Sequence, residues 1–200
     1  MKKDFSFYEF VGIIVPSVIL IFCCGFLYEL TSGKAPVNLL SLGEAVVFII
    51  LAYGIGHIIQ IFGGIFEVLV WKILRGWPTG WLTKEPRFGL KLLEEEDATM
   101  VRNKLYQHFK KVAGKNYGKD AYNYLVIKQL TSRADIFNAN YSLFRGLAVV
   151  FLAVGIYASC LAEWKYSVIL YFLFILTTIR MIRFGKYYAE EVFLTFLNIN

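Results

Sequence analysis

Residues 45–71 read AVVFIILAYGIGHIIQIFGGIFEVLVW, 27 positions without a Lys or an Arg. At about 1.5 Å per residue this is about 40 Å of helix, more than the roughly 30 Å of hydrocarbon in a bilayer. The segment must therefore span a membrane with tilt or with protruding ends. Working outward, residues 10–28 form a second apolar run of 19 positions between Glu9 and Glu29. Lys2 and Lys3 precede it as they would a signal peptide, but the run is longer than a signal core and no small-x-small cleavage pattern follows. It is kept as membrane span one. Pro16 and Ser17 predict a kink there, tolerable where a neighbouring helix takes up the freed carbonyl. On the other side lie residues 146–162 behind Arg145 and residues 166–179 behind Lys165. The last run is short, and reaches a workable length with Trp164 as an interface anchor and with Lys165 and Arg180 extending their heads toward water. Glu163-Trp164-Lys165 then makes spans three and four a tight hairpin.

The composition agrees. The chain of 200 residues is 58% hydrophobic and only 18% charged, against the roughly half-apolar, quarter-charged mix of soluble domains. Its mean hydropathy is +0.55. Cys23, Cys24 and Cys160 all sit in apolar runs, where an odd set fits packing better than a disulfide framework or a zinc site. No cofactor or metal is expected. Nothing alternates with period two for long enough to predict a sheet. The expected class is an all-α membrane protein, four transmembrane helices with an α-helical cytosolic insertion between spans two and three. Lys2, Lys3, Lys72, Arg75, Arg133, Arg145, Arg180, Arg183 and Lys186 fall on one side, and Lys34 and Lys165 on the other. By the positive-inside rule both termini are expected in the cytoplasm. The expected organisation is an N-terminal hairpin over 1–71 with spans at about 10–28 and 45–71, an insertion over 72–142, a second hairpin over 143–185 and a cytosolic helix over 186–200.

Residues 72–142 carry 13 Lys plus Arg against 7 Asp plus Glu, which equals the whole net charge of +6. The segment opens on Gly76-Trp77-Pro78-Thr79-Gly80-Trp81, whose indoles suit the headgroup level. The acidic block Glu94 to Asp97 predicts a helix start, with the helix running from about Asp97 to Ala113 and burying Val101, Leu105, Phe109 and Val112. A second helix should start at Asp120. A third, from about Ala134, should continue into span three.

Two constellations stand out. On span two, Tyr53, His57, Gln60, Gly64, Glu67 and Trp71 fall within an arc of roughly 80° at about 100° per residue. Ionisable groups in a membrane normally face a bundle interior or a water-filled cavity. Tyr53, His57, Gln60, Gly64 and Glu67 are thus candidate pore-lining residues, and the alternative is that they fasten the bundle while Gly54, Gly56, Gly63 and Gly64 admit a neighbouring backbone. Four helices leave no central channel in one copy, so a pathway needs a homo-oligomer, with a tetramer as the working expectation. The second constellation is the basic set Arg102, Lys104, Lys110, Lys111, Lys115 and Lys119, interleaved with Tyr106, His108 and Tyr117. Such a juxtamembrane cluster more often serves attraction to the anionic inner leaflet, with an oligonucleotide or nucleotide ligand and ordinary solvation as the alternatives. No phosphate-binding glycine loop, catalytic carboxylate pair or nucleophile elbow occurs, and no enzyme is expected.

Two resemblances add to this reading. Arg102-Asn103-Lys104-Leu105-Tyr106-Gln107-His108 resembles the loose Arg-x(4 to 6)-His signature of HEPN ribonucleases, a third functional option. Arg102 and His108 turn about 600° apart, on different faces of a straight helix. Tyr53-Gly54-x-Gly56-His57-x-x-Gln60 with Glu67, Trp71 and Gly76-Trp77-Pro78, and later Phe137-Asn138-x-x-Tyr141-x-x-x-Arg145, resembles small bacterial membrane proteins of anti-phage defence systems. It is most similar to the Hailong membrane effector, with the Kiwa membrane subunit second. That resemblance implies an oligomeric inner-membrane ion channel or membrane-disrupting effector opened by an oligonucleotide on its cytosolic side. A non-conducting anchor or sensor recruiting a cytosolic defence partner is the alternative.

Overall fold

The computed structural model describes residues 10–33, 42–109 and 117–199, without the side chains of 42–45. Among these the chain is helical with no strand. A π-helical turn, Phe10–Ile14, leads into α1, Val15–Ser32. Then come α2 (Leu42–Ile73), a 3-10 turn (Pro78–Gly80), α3 (Glu95–Phe109) and α4 (Tyr117–Ile127). Helices α5 (Ser132–Cys160) and α6 (Trp164–Asn198) complete the fold. Among the described residues four helical segments are long and apolar enough to cross a membrane, which makes this a multi-pass membrane protein.

The expected spans are present, and the structure extends them. Helix α2 overruns the expected 45–71 at both ends. The helix expected from about Ala134 starts at Ser132 and runs unbroken into span three. Span four and the C-terminal helix are one continuous helix of 35 residues. Gly185 lies within it, buried and flanked by helical residues on both sides, so the break expected near 186 does not occur. Helix α4 starts at Tyr117, three residues before the expected Asp120. The expected end of α3 at Ala113 lies outside the described residues.

The chain divides into two compact units. The first comprises residues up to Phe66 with Ala139–Met181. Its centre is a cluster of Leu27, Ile59, Val150, Val154, Ala158 and Leu170, one or more from each of the four long helices, with Cys23 packed against it. The second comprises Glu67–Asn138 with Ile182–Asn200. Here Val101 and Leu105 are fully buried, as the helical face predicts, together with Ala121, Leu125, Val192 and Phe193. Phe109 stacks on Phe196 with ring centroids 5.8 Å apart. Val112 lies outside the described residues.

Candidate functional site: a polar junction in the helix bundle

The junction starts from what Pro16 removes. A proline at this position has no N–H to give the Gly12 carbonyl four residues earlier, where an α-helix would bond it. The chain answers with the π-helical turn Phe10–Ile14 and with a donor from another helix. The Gln60 side-chain amide on α2 donates to the Gly12 carbonyl. The Gln60 side-chain oxygen in turn accepts from the Arg145 guanidinium and, at 3.3 Å, from the Ser142 hydroxyl, both on α5. One amide thus ties three helical segments together. Ser17 returns its hydroxyl to the Ile14 carbonyl at 2.7 Å, reinforcing the bend.

Close backbone approach makes the junction possible. A Cβ at Gly12 would lie 2.7 Å from Ser142 Oγ, and one at Gly146 would lie 2.8 Å from Pro16 Cγ. At Gly63 it would meet Arg145 Cγ at 3.2 Å, and at Gly56 it would collide with the Ile13 carbonyl. These glycines are the small-residue seam that membrane helices use to pack tightly.

The five candidate pore residues are thereby divided. At about 100° per residue, the packed seam Ala52, Gly56, Ile59, Gly63 and Val70 is centred roughly 90° from the middle of the polar stripe. The stripe therefore straddles the edge of the packed face. Gln60 falls inside, and Glu67 is buried at 6% exposure. Gly64 is half-buried, with open space around it. Tyr53 and His57 are exposed, and their rings meet edge to face at 4.6 Å. Tyr53 and His57 thus lie on the helix surface, while Gln60 is committed within its own copy.

Arg145, Ser142, Gly12 and Pro16 were not among the candidates. Arg145 reads in sequence as a flanking cation at the start of a span. The helix runs through it, as expected, but its side chain packs against Gly63 and over the Tyr141 ring, 5.7 Å from the centroid. Pro16 was the available signal, since its freed carbonyl called for a donor that sequence could not name.

The basic set also separates. Lys104 gives its ammonium to the carbonyls of Leu197, at 2.8 Å, and Ile199, capping the negative end of α6. Arg102 pairs with Glu95 at 2.7 Å and reaches Thr99 at 3.1 Å. Lys119 is exposed. Lys110, Lys111 and Lys115 lie outside the described residues. His108 packs against the rings of Tyr124 and Phe196, at 4.6 and 5.8 Å, so it and Arg102 engage different neighbours. On α4, Tyr122 donates to Asp135 at 2.8 Å, and burial, that bond and the Asp135 charge all push its pKa upward.

Comparison with protein-family models, with characterised proteins and with solved structures returns no match.

Proposed function

We propose that this chain is one subunit of a membrane homo-oligomer that opens an ion pathway along α2, with Tyr53 and His57 turned toward the surface shared by the copies. The observation that carries the reading is the position of His57. It is the sixteenth of the 32 residues of α2, and its ring is exposed on the outer surface of the helix. A polar ring at the middle of a membrane helix is unfavourable against acyl chains, and such groups face a bundle interior or water. Among the described residues of one copy, His57 meets the Tyr53 ring and is otherwise exposed. A second copy or a hydrated axis between copies supplies what is missing.

In this proposal the membrane is a bacterial inner membrane with both termini in the cytoplasm, and the basic segment 72–142 receives an anionic or nucleotide-like signal there. The role is that of an anti-phage effector whose leak arrests the infected cell. A non-conducting anchor that recruits a cytosolic partner is the second reading. It is favoured by Gln60, which is spent on fastening the bundle.

Conductance in planar bilayers, with the oligomer mass measured in the same detergent, tests the proposal. His57→Leu and Tyr53→Leu should abolish or reshape the current while leaving the fold intact. A monomeric mass, or unchanged currents in both variants, would overturn it in favour of the anchor.

A further inference from the structure

Just beyond the last turn of α2, a half-open cleft of about 450 Å³ lies between the loop 81–93 and the start of α3. Trp81, Lys84, Glu85, Lys91, Glu95 and Arg102 are among the residues that line it. The Trp81 ring packs edge to face on Trp71, 6.0 Å between centroids, and its indole N–H is held by the Gly76 carbonyl at 2.9 Å. Trp71 belongs to the final turn of a membrane-crossing helix. The floor of the cleft is therefore fixed to the end of a span, the level at which tryptophan meets lipid headgroups.

The charge of the cleft is positive once its internal pairing is subtracted. Glu95 is taken by Arg102, whose guanidinium is further held by Thr99 and lies 3.4 Å from the Leu82 carbonyl. That leaves Lys84 and Lys91 against Glu85. Both lysines are exposed, and neither ammonium group makes an ion pair or hydrogen bond among the described residues. Two uncommitted ammonium groups lining one cleft suit a phosphate, whose oxygens accept several charge-assisted hydrogen bonds at once.

The surrounding loop carries an independent sign of where that phosphate comes from. Phe88 has φ +61° and its side chain is 77% exposed. A bulky residue in the left-handed region costs about 1–2 kcal/mol, and nothing in water repays holding its ring outward. Trp77 is 47% exposed nearby in sequence. Phe88 shares its loop with Lys84 and Lys91, and an exposed ring in a lysine-bearing loop is the composition of a surface that enters the interfacial layer of a bilayer.

We propose that this cleft binds a phosphate group, presented at the membrane surface by an anionic phospholipid headgroup. The site does not depend on the pathway, because binding is read without any current. The full-length protein is placed in phosphatidylcholine nanodiscs, with and without phosphatidylglycerol. Retained lipid is then measured by native mass spectrometry. A parallel arm titrates inorganic pyrophosphate into nanodiscs of phosphatidylcholine alone.

Wild-type protein should retain phosphatidylglycerol selectively. The double variant Lys84→Gln/Lys91→Gln should bind it roughly thirtyfold more weakly, since each lysine near a charged surface contributes about a factor of five. Neither lysine has a structural partner, so the variant should keep its fold, checked by circular dichroism. The control Lys165→Gln/Lys186→Gln removes the same charge outside the 72–142 segment and should change binding little. Pyrophosphate binding that is lost in the same double variant would support the phosphate cleft and make its natural occupant a soluble phosphate. The proposal fails if neither probe binds above its neutral control, or if the two double variants weaken binding equally.

Discussion

Replacing Gln60 by Leu keeps the side chain's approximate volume and deletes the donor to Gly12 and the acceptor for Arg145 and Ser142. Hydrogen bonds between membrane helices contribute on average about 0.6 and at most about 1.7 kcal/mol each. Those to a charged partner contribute about 1.5–3 kcal/mol. With one charged and two neutral bonds lost, Gln60→Leu should lower stability by roughly 2–4 kcal/mol. The size alone does not identify the cause, and a double-mutant cycle with Pro16→Ala does. That substitution restores a backbone N–H at position 16, which can bond the Gly12 carbonyl within α1 and take over the task of the Gln60 amide. It also removes a ring that packs on Gly146, so it has a cost of its own. In its background Gln60→Leu should lose about 1 kcal/mol less than in wild type, the penalty of leaving one carbonyl without a donor. Reversible unfolding in mixed micelles, followed by near-UV circular dichroism, gives all four stabilities. Additivity within about 0.3 kcal/mol would refute the idea that Gln60 exists to satisfy the proline-freed carbonyl.

The glycine seam gives a paired expectation. Gly56→Ala should destabilise the monomer by several kcal/mol, because the new Cβ meets the Ile13 backbone, which cannot swing aside, whereas Gly64→Ala enters open space and should be neutral or slightly stabilising in the same unfolding assay. If copies associate through the His57 face, Gly64→Ile should leave that monomer stability alone and lower the oligomer mass in detergent. Lys104→Met should cost about 1 kcal/mol and increase amide exchange at Leu197 and Ile199, with anion affinity unchanged, since its ammonium caps α6 rather than facing a ligand. Tyr122 is held neutral by burial and by Asp135, with its folded pKa raised above 10.0. Its contribution should be complete below pH 10.0 and fall as the phenol ionises above it, a decline that Tyr122→Phe should lack in a pH-dependent unfolding series.

The basic insertion shows how far local pattern reaches. The apolar face of α3 was legible, and Val101 and Leu105 are buried where its period puts them. The polar side of the same helix was not. Its cations looked equivalent by spacing, yet Arg102 is set by Glu95 seven residues before it and Lys104 by carbonyls 93 and 95 residues away. A helical period reports which residues share a side of one element. It carries no record of what another element brings to that side.

The sequence by itself determined that this chain is helical and carries four runs long and apolar enough to cross a membrane. Hydrocarbon demands long apolar runs whose backbone bonds close within the segment, a requirement visible one run at a time. Tertiary structure decided which part of the polar stripe on α2 is structural. Gln60 was set apart from His57 by a carbonyl 48 residues before it and a guanidinium 85 residues after it. Three residues separate the two side chains along the helix, and the angle of about 60° between them only becomes decisive once neighbouring helices cover one and leave the other bare.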